Sequence, residues 1–581
     1  MSKNAAVADL LEEMADHLAA RDVEYKPNVY RRAADSIRGH TVAVERLYAE
    51  GGEDAIREID DVGEAIGTKT VEFLETGTIE ELEELREELP VEMDALTAVE
   101  GVGPKTVGAL YAALEIETLD DLEAAAEAGE IQEIKGFGAK TESNILENIP
   151  FAREARARSL LGDARPVADR VVAFFDSLSA AEAVETAGSI RRWRPTIGDV
   201  DVLVASVDGE SVIDSFQSWD GADSVIEAGT NKASVRSAGE RVDLRVVVPE
   251  EFGAALQYFT GSKEHNVALR NRAIEMGLKV NEYGVFDVSE IDDPDADQRI
   301  GERVAGETER GVYKVLGLPL IPPEMRENRG EITCAADGGL PDLIETDDVR
   351  GDLHLHTNAS DGTATIAEMA EAAAEFGHDY IAIADHATGP GMVGGIGLDD
   401  TELSAHADAI RAANEDTPVE LFASVEANID SDGGLSVGDD TLAELDCVVA
   451  SPHSGLDGDG TDRLVAAIEH PETDILGHPT GRLLNQRPGH DIDIERVAAA
   501  AAEHDTALEI NADPHRLDLR SSYLKAAIEA GATIAVNTDA HSTDAYGYMR
   551  FGVHTARRGW AESTDVLNTR DTDGVRDFFE S

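Results

Sequence analysis

The apolar positions of the first 50 residues recur at helical spacing, with Val7, Leu10, Leu11, Met14 and Leu18 on one stripe, which predicts a helical start to the chain. Three segments with paired glycines follow: Ile59–Gly67, Val99–Thr106 and Ile134–Thr141. The last two share the order apolar-x-Gly-apolar-Gly-x-Lys-Thr and run into predicted helices; the first is a degenerate copy. From about 155 to 325 the pattern turns mixed α/β, with Val-rich, strand-like runs at 198–206 and 241–249. Residues 325–349 are polar and carry Gly330, Gly338, Gly339 and Pro341, which predicts an interdomain linker. Beyond 350, short Val/Ile/Leu/Ala runs alternate with Ala-rich helical stretches, the pattern of a (β/α) barrel.

Composition complicates the choice of partner. The 581 residues hold 118 Asp+Glu against 49 Lys+Arg, a formal charge of −69, which alone argues against a nucleic-acid partner. A hydrophobic content of 42% excludes disorder, and the length calls for three to five domains. Only 11 of the basic residues are lysine. Much acid with little lysine keeps a protein hydrated in concentrated salt, where the Debye length falls to roughly 3 Å at about 1 M. The charge therefore reads as halophilic adaptation, and the position of each lysine becomes informative. Lys69, Lys105, Lys135 and Lys140 fall in or just after the paired-glycine segments. Glycine pairs allow a tight hairpin, and the helix N-terminus that follows offers free N–H groups to an anion. One such turn could be an ordinary helical connection. Two good copies, with Gly101, Gly103 and Lys105 in one and Gly136, Gly138 and Lys140 in the other, favour a phosphate clamp and resemble the DNA-binding helix-hairpin-helix. Cys334 and Cys447 cannot form a disulfide framework, and neither a leader nor an apolar run of about 18 residues is evident. A soluble, cytoplasmic protein is expected.

Two constellations carry chemistry. In the first, Gly188-Ser189-Ile190-Arg191-Arg192 precedes Ile197–Val204, where period-two alternation puts Asp199 and Asp201 on one face and Val200, Val202 and Val204 in the core. Adjacent carboxylates repel unless cations neutralise them. Asp243, in the run Arg241–Val246, supplies a third carboxylate, and three from two strands can hold two Mg²⁺ ions for in-line displacement at phosphorus. Asp-Val-Asp alone could mark a solvated edge strand; the Gly-Ser-x-Arg-Arg element upstream decides for a site.

This combination resembles the nucleotidyltransferase palm of family X DNA polymerases. Tyr258-Phe259-Thr260-Gly261-Ser262 resembles the family's sugar-reading motif, and Lys263-Glu264-His265-Asn266 its bacterial and archaeal variant of the next segment. The resemblance implies that the Gly188 turn with Ser189 and Arg192 binds the triphosphate. It also implies that Tyr258, Phe259 and Gly261 crowd the sugar, with Lys263 beside them, that Asn266 meets the nascent base pair, and that Arg270 meets the template. Leu318–Glu327 resembles the end of the polymerase core. Lys69 falls on the Schiff-base lysine of the family's 5′-deoxyribose-phosphate lyase site, which needs an amine deprotonated near neutral pH. Few cations lie near it in sequence, and Ala65 replaces a family phosphate-binding lysine, which counts against lyase chemistry.

The second constellation comprises Asp352–Thr357, Ser360-Asp361-Gly362, Ala384-Asp385-His386, Val425–Ile429, Ser451-Pro452-His453, Gly477-His478-Pro479 and Asn537–His541. Most follow apolar runs and so fall at the C-terminal ends of strands, where barrel active sites assemble. So many nitrogen and carboxylate ligands exceed the needs of one ion and suit three. The set resembles the PHP (polymerase and histidinol phosphatase) domain, which implies nine ligands: His354, His356, Asp361, His386, Glu426, His453, His478, Asp539 and His541. It further implies metal-assisted 3′→5′ exonuclease activity, with abasic-site endonuclease or 3′-phosphatase activity in some members. Mn²⁺ is the expected ion, with Zn²⁺ the alternative. His378, His406, His470, His504 and His515 fit no ligand position and are taken as surface or helix residues.

Together the resemblances imply a multidomain α+β and α/β chain of the bacterial and archaeal family X type. Its expected parts are a lyase-like helical domain at 1–85, fingers at 86–152, palm at 153–250, thumb at 251–325, linker at 326–347 and a PHP-type distorted (β/α) barrel at 348–581. The expected function is template-directed gap filling with 3′→5′ exonuclease activity in DNA repair, such as base excision repair. The implied partners are gapped or nicked double-stranded DNA and dNTPs, with no membrane and a monomeric state. A template-independent nucleotidyltransferase and a DNA-end-binding scaffold with vestigial catalysis are the rival readings. The Tyr258–Ser262 motif argues against the first and the intact ligand sets against the second.

Overall fold

The described residues between 4 and 156 form a series of helices, in line with their periodicity, with glycine turns before several of them. In the computed structural model, residues 3–580 are described except 24, 40–43, 58, 60, 100, 157, 295 and 390–396. Asp60 and Glu100, which belong to the first two paired-glycine segments, lie outside the described residues. Two units form, residues 1–157 with 485–488, and residues 158–484 with 489–581.

The first unit has two cores. Val7, Leu11, Met14 and Leu18 pack with Ile37 and Ile66, while Leu10 is only partly buried. A second cluster gathers Leu96, Val102, Leu110, Leu122 and Ile145. Gly101 and Gly136 have φ of 82° and 102°, the left-handed conformation that the hairpins require.

In the second unit, strands Val200–Ala205 and Glu240–Val247 run parallel, with Asp201 opposite Asp243. They lie within a five-stranded mixed sheet. The alternating Val200, Val202, Val204, Val242, Leu244 and Val246 enter one core beneath helices Leu161–Asp176 and Gly209–Gln217. Helices Phe252–Thr260 and Lys263–Glu275 follow, then a three-stranded antiparallel sheet.

The predicted linker is instead a packed segment. Arg326 is fully buried, its Nη1 donating to Glu309 Oε1 at 2.6 Å, and residues Glu331–Ala336 form a helix. Its charges read as a solvated tether in sequence because their partners lie elsewhere in the chain: Glu331 Oε1 is 2.6 Å from His265 Nδ1.

Seven parallel strands in sequence order then build the barrel. First and last strands meet where His356 N–H donates to the Ala540 carbonyl and Asp539 N–H to the His354 carbonyl. Buried throughout, these strands show the continuous apolar runs expected when helices cover a parallel sheet. No helix among the described residues is long and apolar enough to cross a membrane.

Candidate active sites

The parallel register at Asp201 and Asp243 brings the first set of acids together, with Asp199 one residue before its strand. Burial, then the charges of Asp199 and Asp243, pushes Asp201 up to about 7; burial and Asp243 likewise raise Asp199. Arg241 Nε donates to Asp243 Oδ1 at 2.8 Å. Such mutual repulsion is what bound divalent cations would relieve. Gly188, with φ of 58°, sits so close that a Cβ there would lie 1.9 Å from Asp201 Oδ2, so only glycine fits. Lys232, Arg245 and Phe259 line a cavity of about 270 Å³ with Asp201 and Asp243, and the Arg245 guanidinium stacks 4.2 Å from the Phe259 ring.

Ser189 is half-buried on the turn after Gly188. Arg192 is largely engaged: Nη1 donates to the Thr260 carbonyl at 2.6 Å and Nε to Glu327 Oε1 at 3.1 Å. Gly261 ends the helix that holds Tyr258 and Phe259, and a Cβ there would lie 2.6 Å from Asn266 Oδ1. Asn266 Nδ2 donates to the Tyr258 carbonyl at 2.7 Å and Gln257 Nε2 to Asn266 Oδ1 at 2.8 Å, so Asn266 braces the sugar-motif turn. Lys263 is exposed at the start of the next helix. Arg270, about two turns further on, lines a separate cavity of about 920 Å³ with Tyr258.

The clamp residues are placed as a hairpin requires. Gly103 precedes helix Pro104–Leu114 with no side-chain cap, and Gly138 precedes Ala139–Arg156. A Cβ at Gly101, Gly103, Gly136 or Gly138 would meet nothing within 4 Å, so intramolecular crowding does not demand glycine, and the open space suits close approach by another molecule. Lys140 is exposed, and Lys105 Nζ is 3.1 Å from Asp22. Lys69 is in the wrong state for a Schiff base. Burial would lower its amine, but Glu81, at 2.7 Å, and Tyr30 outweigh it and hold it above the ordinary lysine value.

At the barrel's C-terminal end, eight of the nine predicted ligands converge around two carboxylates. Glu426 Oε1 lies 2.9 Å from His478 Nε2, 3.3 Å from His453 Nε2 and 3.5 Å from His354 Nε2. Its Oε2 is 2.6 Å from His386 Nδ1 and 3.7 Å from His356 Nε2. Asp361 Oδ2 reaches His386 and His541 Nε2 at 3.2 and 3.3 Å. The ninth, Asp539, places Oδ1 3.0 Å from His356 Nε2. Ligand atoms gather in three overlapping groups: His356, Asp361, His386 and His541; His354, His356 and Glu426; and His386, Glu426 and His453. The residues fit bound metal, because His354 Nε2 and His356 Nδ1 are buried without hydrogen-bond partners. Despite burial, the imidazoles hold Glu426 and Asp539 well below the usual carboxylate range.

Several supporting residues were not anticipated. Glu509 Oε1 is 2.7 Å from His354 Nδ1, and its Oε2 accepts from His478 N–H at 2.7 Å. Asp385 accepts from Thr357 N–H and Oγ1 and lies 2.7 Å from His406 Nε2. His406 therefore supports the site from its helix, and His378 is buried, not on the surface. A glutamate inside the otherwise apolar run Ala507–Ile510 was the available signal, since a buried charge needs partners.

One chain thus joins a nucleotidyl-transfer palm to a barrel with a candidate metal centre, the class of a polymerase with an attached phosphoesterase. Residues 2–79 match the Helix-hairpin-helix domain, 93–149 the SAM-like Helix-hairpin-helix tandem, 255–327 the DNA polymerase beta thumb and 352–513 the PHP domain. The chain is 34% identical to the DNA polymerase/3′-5′ exonuclease PolX of Bacillus subtilis over 98% of both proteins. It is 27% identical to rat DNA polymerase lambda over 46% of this chain and 48% of that one. A probable phosphatase of Caldanaerobacter subterraneus is 34% identical over 33% of this chain and 75% of its own. The chain belongs to the family X DNA polymerases that carry a PHP domain.

Proposed function

We propose that this protein is a template-directed, gap-filling DNA polymerase with a metal-dependent 3′→5′ exonuclease, acting in DNA repair such as base excision repair. The observation that carries it is two separate acid clusters on one chain, one without imidazoles and one saturated with them. Family membership and the clamps make DNA the macromolecular partner, with dNTPs the small substrate. Asp199, Asp201 and Asp243 would hold two Mg²⁺ ions, which when bound supply charge neutralisation at the primer hydroxyl and the triphosphate. Gly188 lets the turn approach Asp201, and Ser189 and Arg192 hold the triphosphate. Phe259, stacked on Arg245, and Tyr258 close on the sugar, while Arg270 takes the template. In the barrel the nine ligands would hold about three ions, Mn²⁺ or Zn²⁺, which when bound supply Lewis acidity for phosphodiester hydrolysis. There Glu509 fixes the tautomer of His354, and Asp385 secures the Thr357 turn.

The pairing of Lys69 with Glu81 counts against lyase activity. Abasic-site endonuclease and 3′-phosphatase activities share the barrel chemistry. A cytoplasmic monomer, free of membranes, and domain boundaries near 85, 152, 250, 325 and 347 complete the reading. A labelled primer on a one-nucleotide gap tests it, with Mg²⁺ or Mn²⁺ added. Asp201→Ala abolishes extension, by roughly a thousandfold or more, and leaves primer shortening; His354→Ala does the reverse. Insertion by wild type without regard to the template base would defeat the repair-polymerase reading.

A further inference from the structure

The turn that presents Arg192 is short and is held from two sides. Helix Gly188–Arg191 is a single turn, and Trp193 after it has φ of 52°, a left-handed conformation costly for a bulky side chain. From its own half, Arg165 lies over the Trp193 ring at 4.6 Å and Arg191 pairs with Glu309 at 2.7 Å; the rest of its support comes from the hydrolytic domain. The Trp193 indole stacks on the His554 imidazole with centroids 3.6 Å apart and planes 6° from parallel, while Phe551 meets its edge at 6.0 Å. His554 is held in turn, its Nδ1 2.8 Å from Glu324 Oε1. Both rings come from the barrel helix Met549–Arg558.

The last residue of that helix reaches the turn itself. Arg558, 5% exposed, donates from Nη1 to the Arg192 carbonyl and to Glu327 Oε1 at 3.1 Å. Glu327 Oε1 also accepts from Arg192 Nε at 3.1 Å, so one carboxylate oxygen ties the two guanidiniums together. With Arg192 Nη1 on the Thr260 carbonyl, Nη2 is the corner of that guanidinium not given to a protein acceptor among the described residues. A planar fork restrained at two nitrogens presents its third in a fixed direction, which is how arginine gains specificity for phosphate oxygens.

We propose that the helix Met549–Arg558 of the hydrolytic barrel is a working part of the polymerase site, with Arg558 a positioning residue that sets Arg192 for the nucleotide triphosphate. The proposal rests on the reading that Arg192 binds the triphosphate. It means that the barrel serves synthesis independently of its own metals, and that the affinity for incoming nucleotide is set partly from the domain that removes nucleotides. Among the described residues, Arg558 gives its hydrogen bonds to the Arg192 carbonyl and Glu327 and none to the nine barrel ligands.

The test is steady-state gap filling by the full-length protein, with primer shortening and thermal unfolding measured alongside. Arg558→Ala raises the KM for dNTP about tenfold with kcat within about twofold, because one charge-assisted hydrogen bond is lost and the three catalytic carboxylates are untouched. Primer shortening is unchanged. Arg558→Lys, a point charge that cannot span both acceptors, recovers part of the KM. His554→Ala, which removes the stack and leaves Glu324 to Arg557, also raises KM and gives a second route if Arg558→Ala does not fold. An unchanged KM in folded Arg558→Ala overturns the proposal. So does a parallel fall in kcat, primer shortening and unfolding temperature, which marks a structural residue only. Arg192→Ala separates the underlying reading: if it leaves the KM for dNTP unaltered, the triphosphate assignment and the proposal fail together, whatever Arg558 does.

Discussion

The palm and the barrel each bury carboxylates at a candidate metal site, yet the two sets are pushed in opposite directions. In the palm, burial and the like charges of Asp199 and Asp243 drive Asp201 up to about 7. In the barrel, Glu426 is buried still more deeply, but His453, His386 and His354 hold it well below the ordinary range. The difference lies in what surrounds each acid. Acids facing acids are a site that cations complete only when they arrive, which suits ions delivered with a nucleotide. Acids set among imidazoles form a preorganised ligand set, which suits ions that stay. The palm is therefore expected to exchange its ions freely and the barrel to retain them.

The sharpest way to break that contrast is to loosen the barrel from behind its ligands. Glu509 orients His354 through Nδ1 and accepts from the His478 backbone. Outer-shell partners of this kind are worth roughly 10- to 100-fold in metal affinity or activity. Glu509→Gln should lose that much primer shortening and require correspondingly more Mn²⁺ to restore it, while gap filling stays unchanged. The metal content after dialysis is the direct measurement. If Glu509→Gln keeps its metal and its exonuclease, the barrel is not preorganised in the way described.

A smaller effect tests the palm, and its sign is fixed by linkage. Asp201 is pushed up to about 7 in the folded chain from an ordinary value of 3.8, so between these the folded chain binds a proton that the unfolded chain has lost. Stability therefore falls as pH rises through that window, and above it the full penalty of three crowded charges is present. With divalent ions chelated at about pH 8, Asp201→Asn should stabilise the palm by about 1–2 kcal/mol, an unfolding shift of a few degrees. The gain should shrink as pH falls through the window and vanish toward about pH 3, below the ordinary aspartate value, where wild-type Asp201 is protonated in both states. Mg²⁺ should erase it too, by stabilising wild type more than the variant. A variant less stable than wild type at every pH would remove the repulsion on which the comparison rests.

Much of this contrast was legible in the sequence, and the parts that were not share a cause. Alternation put Asp199 and Asp201 on one face, and apolar runs ending in His or Asp placed the barrel ligands at strand ends. Both signals are local in the chain. Glu509, His406 and the Arg192–Glu327–Arg558 network depend on partners tens to hundreds of residues away: Arg558 and Arg192 are 366 positions apart. The same limit made residues 326–347 look like a linker. Their charges were visible, but Glu309 and His265, which pair with them, were not identifiable as partners. Asn266 shows the same limit, since its bonds to the Tyr258 carbonyl and from Gln257 Nε2 brace a turn that the motif alone does not reveal.

The gentlest test concerns the two halves and salt. Eight of the 11 lysines lie between Lys69 and Lys314, and only Lys525 lies in the barrel, where it rests 4.4 Å from the Trp560 ring and pairs with Glu529. Backbone contact with DNA is therefore expected to fall to the clamp and polymerase half, inside a chain of charge −69 that repels DNA as a whole. For most DNA-binding proteins added salt weakens affinity through counterion release. Here salt also screens the long-range repulsion, which acts over distances comparable with the Debye length. The two terms oppose, so gap filling should persist or rise a few-fold between about 50 mM and about 1 M KCl, where counterion release alone would cost orders of magnitude. A steep fall from a maximum near about 50 mM would mean that counterion release dominates. The acidic surface would then have no part in setting how this polymerase meets its substrate.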